Sequence, residues 1–262
     1  SRRFCQAYSH ICYPKGADAA LISDISASII NDVFPTDAEL QQVLDNPVVK
    51  LNLVVAKARR ISAARHKVLQ AAALSLAASA NLLHRKHLQY FFQRVLFHLP
   101  GTPSPFHHAG ILPTQHVALT SANLRQAVLA SGSIPMVLNP VENIAGAGAG
   151  LYYDGGITDY HFDLPFSSDG LVLYPHFYPR LTPGWFDKSL PWRRAKQAHL
   201  HNVVLLCPSE QWVKSLPFGK IPDRNDFKLP DNVRINYWQE VIARSEELAQ
   251  ALRRGNLVPE PL

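Results

Sequence analysis

Apolar positions along the chain recur in two rhythms, one helical and one continuous. Residues 20–34 place Leu21, Ile22, Ile25, Ile29, Ile30 and Val33 near one helical face, and Pro35 ends that run. Thr36 and Glu39 then have the spacing of a capping box, opening a short helix that Asn46-Pro47 closes. Residues 48–58 are rich in β-branched and aliphatic side chains and predict a buried strand. From 62 to 98 the spacing predicts two helices broken near 81–86. The second, 88–98, mixes large apolar and aromatic positions with Arg94, which suits either a core-facing helix or one lying in a lipid interface. Residues 99–113, with four prolines, two glycines and His107-His108, read as a lid or a plain connection. A short strand at 116–119 follows. Thr120 or Ser121 then caps a helix spanning 121–141 and running through Ala130-Ser-Gly-Ser-Ile-Pro135. Leu151-Tyr-Tyr-Asp154 predicts a strand ending in a sharp turn at Gly155-Gly156. Residues 170–174 and 202–207 predict two more buried strands. The aromatic stretch between them is expected to pack against the body, and 231–254 closes the chain as a helix with Trp238, Ile242, Leu248 and Leu252 inward and Gly255 at its end.

Strands that alternate with helices and are continuously apolar predict a single α/β domain over 1–262, with helices on both faces of a mostly parallel sheet and some antiparallel pairs. The 47% hydrophobic and 18% charged content excludes disorder. Cys5, Cys12 and Cys207 lack metal spacing and read as reduced thiols. No apolar run follows the first residues, and the longest uncharged helical run, 68–83, is short of a membrane span, so a cytoplasmic protein is expected, with peripheral membrane contact open. Charge is unevenly placed. Residues 46–141 hold ten Lys or Arg, no Asp or Glu, and seven of the twelve histidines. Such a block calls for an anionic lipid surface, a nucleic acid, or the acidic remainder of the same chain. No nucleic-acid reading module accompanies it, so no nucleic-acid partner is expected.

The chain contains no G-x-S-x-G elbow, no His-Glu-x-x-His and no dinucleotide or phosphate loop; no metal or cofactor is expected. Gly146-Ala-Gly-Ala-Gly150 reads as a flexible loop. His84 with His87 lacks acidic or cysteine partners nearby. Ser133, Asp154 and His161 stand in triad order, although the short spacing from Asp154 to His161 opposes that assembly. Asp154-Gly-Gly156 itself admits a plain hairpin turn or a carboxylate held at a strand tip, its glycines allowing unusual backbone angles or close approach of a neighbour.

Ala130-Ser-Gly-Ser-Ile-Pro135 followed by Leu151-Tyr-Tyr-Asp-Gly-Gly-Ile157 resembles the carboxy-terminal half of the patatin-like phospholipase family. The resemblance implies a three-layer α/β fold, a lipid ester substrate, and Asp154 as the aspartate of a Ser-Asp dyad, supported by Gly155 and Gly156 and needing no cofactor. The family's glycine-rich oxyanion loop and serine elbow lie upstream of these motifs, and neither is among these residues. The expectation is therefore part of a lipid acyl hydrolase, inactive as it stands and lacking the family's amino-terminal strands, of unknown oligomeric state. The alternative is a non-catalytic relative that binds anionic membrane through the cationic middle segment.

Overall fold

The structure is a computed structural model that describes residues 2–63, 66–102, 104–106, 110–166 and 170–260. The His107-His108 pair lies outside the described residues. The chain divides into two compact units, one formed by 15–169 with 181–201, the other by 1–14, 170–180 and 202–262.

The larger unit contains helices α2 (Ala19–Val33), α3 (Asp37–Leu44), α4 (Lys67–Leu83), α5 (Leu124–Ser131) and the one-turn α6 (Gly156–Asp159). Its strands are β1 (Asn52–Ala58), β2 (Phe92–His98), β3 (Thr114–Ala118), β4 (Val141–Glu142) and β5 (Leu151–Asp154), in the sheet order β3-β2-β1-β5-β4. Thr36 caps α3 as its sequence predicts, its hydroxyl accepting the Glu39 N–H at 3.3 Å. The helix expected over 121–141 is only α5, ended at Gly132, and its N-cap is Asn123 rather than Thr120 or Ser121.

Two expectations fail for one reason. Residues 88–98 are not a helix but a 3-10 turn, Arg85–Tyr90, leading into β2. The sheet is mixed, and three of its four ladders are antiparallel, with β2–β3 the parallel one. A strand covered on both faces is apolar at successive positions whatever its direction, and such a run also matches helical spacing. In β2, Val95 and Phe97 join Val55 and Tyr152 under Leu40 of α3 and Leu124, Ala127 and Ala130 of α5. Alternate sheet residues (Ala56, Ala58, Phe92, Leu151, Tyr153) meet Ala77 of α4, Leu88 and Ile157 instead.

The smaller unit holds α1 (Arg2–Ser9), a two-stranded parallel sheet of β6 (Val172–Pro175) and β7 (Val203–Leu206), α7 (Glu210–Ser215) and α8 (Asp231–Arg253). These strands are not buried as expected: Leu173 and Val204 are exposed. Helix α8 buries Arg234, Tyr237, Trp238 and Val241, whereas Ile242 and Leu252 are exposed, so the inward face is displaced from the expected one after Trp238. Arg234 lies over the Phe227 and Trp238 rings and donates to the Ser9 and Ile11 carbonyls, tying α1 to α8. Gly255 ends the helix at φ 70°, as its position predicts.

Candidate active site

Asp154 is the last residue of β5, opposite Val55 of β1, and its N–H donates to the Ser133 carbonyl at 3.0 Å. The backbone of the Ala130–Pro135 stretch thus meets the Asp-Gly-Gly turn directly. The plain hairpin is ruled out, because the chain enters α6 after Asp154 instead of a returning strand. Gly155 sits at φ −60°, ψ −23°, angles open to any residue. Glycine is required there by proximity: a methyl group would overlap the Val54 carbonyl. At Gly156 it would lie 2.9 Å from Asp154 Oδ1 and 3.2 Å from Tyr160 Cδ2. The two glycines let the chain bend tightly enough for the Gly156 N–H to donate to Asp154 Oδ1 at 2.6 Å.

Asp154 Oδ2 makes no hydrogen bond among the described residues. Burial raises the Asp154 pKa above the ordinary carboxylate range, while the Gly156 N–H and the charge of Lys188 pull the other way. The Lys188 ammonium itself stands 3.7 Å over the Tyr160 ring. The carboxylate is therefore fixed at one oxygen and uncommitted at the other. A group of this kind is equipped to take up a proton.

Five residues on, Asp159 is fully engaged. Arg94 of β2 donates to it from Nε and Nη2 at 2.6 Å each, with both side chains buried, and also reaches Thr114 Oγ1 at 3.1 Å. Arg85 Nη2 lies 3.9 Å from Asp159 and donates to the Thr158 and Pro183 carbonyls; its Nη1 meets Asp187 at 3.0 Å. Asp187 also accepts from Asn81 Nδ2 at 2.7 Å, and Arg193 donates to the Asn81 carbonyl at 2.9 Å. This network locks the far end of α6 to β2, to the end of α4 and to residues 181–193. The sequence carried one pointer to it, the acid-free basic block. Arg85, Arg94 and Arg125 of that block pair with Asp187, Asp159 and Asp37, all outside it, so for these three the acidic remainder of the chain is the partner.

Ser133, Asp154 and His161 form no triad. Ser133 is buried with its hydroxyl donating to the Leu129 carbonyl at 2.9 Å, and His161 Nδ1 accepts the Thr182 N–H at 2.7 Å. His84 and His87 have ring centroids 5.9 Å apart, and no group of three or more metal-ligating side chains occurs among the described residues. The glycine-rich loop is pinned rather than loose. Tyr152 shares its hydroxyl between the Ala147 and Gly148 carbonyls, 2.7 Å from each, and Lys57 donates to Ala147 at 3.0 Å. Burial pushes the Tyr152 pKa up to about 12. A shallow cleft lined by Ser62, Gln70, Leu74, Phe92, Pro135 and Tyr153 leaves no enclosed room even for a water molecule, and Tyr153 points to the opposite sheet face from its neighbour Asp154.

Comparison with family models, curated proteins and solved structures finds no match. Any reading of function rests on the residues and their geometry. All three cysteines are free thiols. No helix among the described residues is long and apolar enough to cross a membrane.

Proposed function

We propose that Asp154 is the base of a Ser-Asp dyad in a patatin-like lipid acyl hydrolase of the phospholipase A or esterase type, with the serine supplied by a G-x-S-x-G elbow that these 262 residues do not contain. The observation that carries the reading is the half-committed carboxylate: Asp154 at a strand end, one oxygen held by Gly156 and the other open. Its raised pKa suits a general base, which works best when its affinity for a proton approaches the working pH. The contact between Asp154 and Ser133 backbones gives the two motifs of the resemblance a shared location. Apolar clusters fed by alternate sheet residues support the three-layer arrangement that goes with it.

In the mechanism, the serine hydroxyl attacks the ester carbonyl while Asp154 Oδ2 takes its proton. Collapse of the tetrahedral intermediate expels the alcohol, which recovers that proton from Asp154. Water then loses a proton to Asp154 as it attacks the acyl-serine, and the second collapse returns the proton to the serine oxygen with release of the fatty acid. Gly156 keeps the carboxylate aimed throughout, and the chemistry itself calls for no metal.

The test is hydrolysis of a short-chain ester by the natural polypeptide that carries this sequence. Asp154→Asn should lower kcat by about 10² to 10⁴, and the 262-residue chain alone should show no hydrolysis and no labelling by a fluorophosphonate. An Asp154→Asn enzyme as fast as the parent overturns the reading. Hydrolysis by the isolated chain, abolished by that substitution, would show instead that the nucleophile lies within these residues.

A further inference from the structure

Helix α4 carries an unusual outer face. Its inner side buries Ala73, Ala77 and Asn81. On the outer side, Val68, Leu69, Leu76, Leu82 and Leu83 are between 51% and 80% exposed. At 100° per residue these positions, with only Ala and Ser between them, sweep an arc of about 140° that contains no charged side chain. A surface helix ordinarily presents charge there, and a helix apolar all round is normally covered. The serines sharpen the point. Ser75 Oγ donates to the Ala71 carbonyl and Ser79 Oγ to the Ser75 carbonyl, each at 3.0 Å, so their hydroxyl protons are already satisfied within the helix. The face is built to do without water.

Charge indicates what covers it. Exposed Lys67 opens the helix and exposed Lys86 follows its end, within a stretch, 46–141, that has no acidic residue. A second copy laid face to face would set these cations against their own kind, whereas an anionic surface complements them. Seventeen residues span about 25 Å, which fits a helix lying flat and not one crossing.

We propose that the outer face of α4 is the surface by which this protein lies on anionic membranes, its aliphatic side chains at the acyl–headgroup boundary and Lys67 and Lys86 among the headgroups. The inference is independent of Asp154, since a chain without catalysis would dock in the same way. It moves the lipid-facing role from 88–98, where the sequence suggested it, to the preceding helix.

Co-sedimentation of the purified chain with vesicles of phosphatidylcholine alone, and with a quarter of phosphatidylglycerol, tests it. Binding to the anionic vesicles is expected at about 50 mM salt, several-fold weaker at about 500 mM and on the neutral vesicles. Leu69→Glu with Leu76→Glu alters only exposed positions, so the circular dichroism should be unchanged while binding falls about tenfold or more. Lys67→Glu with Lys86→Glu should remove the preference for anionic vesicles. Equal binding by the double-leucine variant, or no binding by the parent at low salt, overturns the proposal. So does a concentration-dependent dimer that the leucine substitutions dissolve in a chain that ignores vesicles, because a second copy would then be the cover.

Discussion

Asp154 and Asp159 stand at the two ends of one helical turn and live in opposite circumstances. Asp159 is buried against Arg94 with two short hydrogen bonds and has Arg85 within 3.9 Å. Asp154 has a single N–H on one oxygen and a more distant cation. The first arrangement satisfies a charge so that it can be removed from water; the second leaves a charge poorly stabilised. Two carboxylates five residues apart thus differ in how well their charge is satisfied, and the rigid one holds the turn on which the other is displayed. Under the function proposed above, the poorly satisfied one is the reactive member.

The largest effect should come from breaking the committed pair. Arg94→Met strands Asp159 in the interior and should cost about 3–5 kcal/mol in urea unfolding, and pairing it with Asp159→Leu should recover most of the loss because no uncompensated charge remains. Gly155→Ala comes next. The added methyl overlaps the Val54 carbonyl and should cost about 1–3 kcal/mol, with reduced protection of the Asp154 amide in hydrogen exchange as the local signature. Tyr152→Phe removes the hydroxyl that anchors the glycine loop, for about 0.5–1.5 kcal/mol. In the parent, spectrophotometric titration should find that tyrosine ionising at about 12.

The smallest change in stability belongs to Asp154→Asn, within about 1 kcal/mol of the parent near neutrality. Its pH dependence has a definite sign. A carboxyl whose pKa is higher in the folded than in the unfolded state binds its proton more tightly when folded. Its contribution to stability is complete below the unfolded value, near about 4, and is lost as pH rises through the folded one. Denaturation curves across that window should show the parent losing stability relative to Asp154→Asn as pH increases. If Asp154→Asn destabilised as much as Arg94→Met, the division of labour would be gone.

What could be read from the sequence followed the range of the interactions. Most local signals held: the Thr36 cap, the strand ending at Asp154, the helix start at 231 and its Gly255 stop each depend on residues within a few positions of one another, whereas the cap expected at Thr120 or Ser121 falls on Asn123. The Asp-Gly-Gly turn was visible too, and of the two roles expected of its glycines Gly155 fills the close approach of a neighbour rather than unusual angles, the neighbour being a carbonyl on another strand a hundred residues away. Long-range structure stayed hidden. Arg94 and Asp159 are 65 residues apart, and Arg85 and Asp187 102 apart, and nothing in local spacing pairs them. The double-sided burial of β2 makes 88–98 look helical, and the half-exposed β6 and β7 look buried because valine and leucine suit a strand whether one face or both are covered.

The division between the two carboxylates is tested most directly by a carbon-detected NMR titration of the purified chain, with the Asp154 carboxyl assigned by comparison with Asp154→Asn. Burial against a single N–H donor requires Asp154 to titrate above the ordinary aspartate value of about 3.9. A midpoint at or below that value would mean its charge is as well satisfied as in an ordinary structural turn, and would contradict the assignment of Asp154 as the reactive member of the pair.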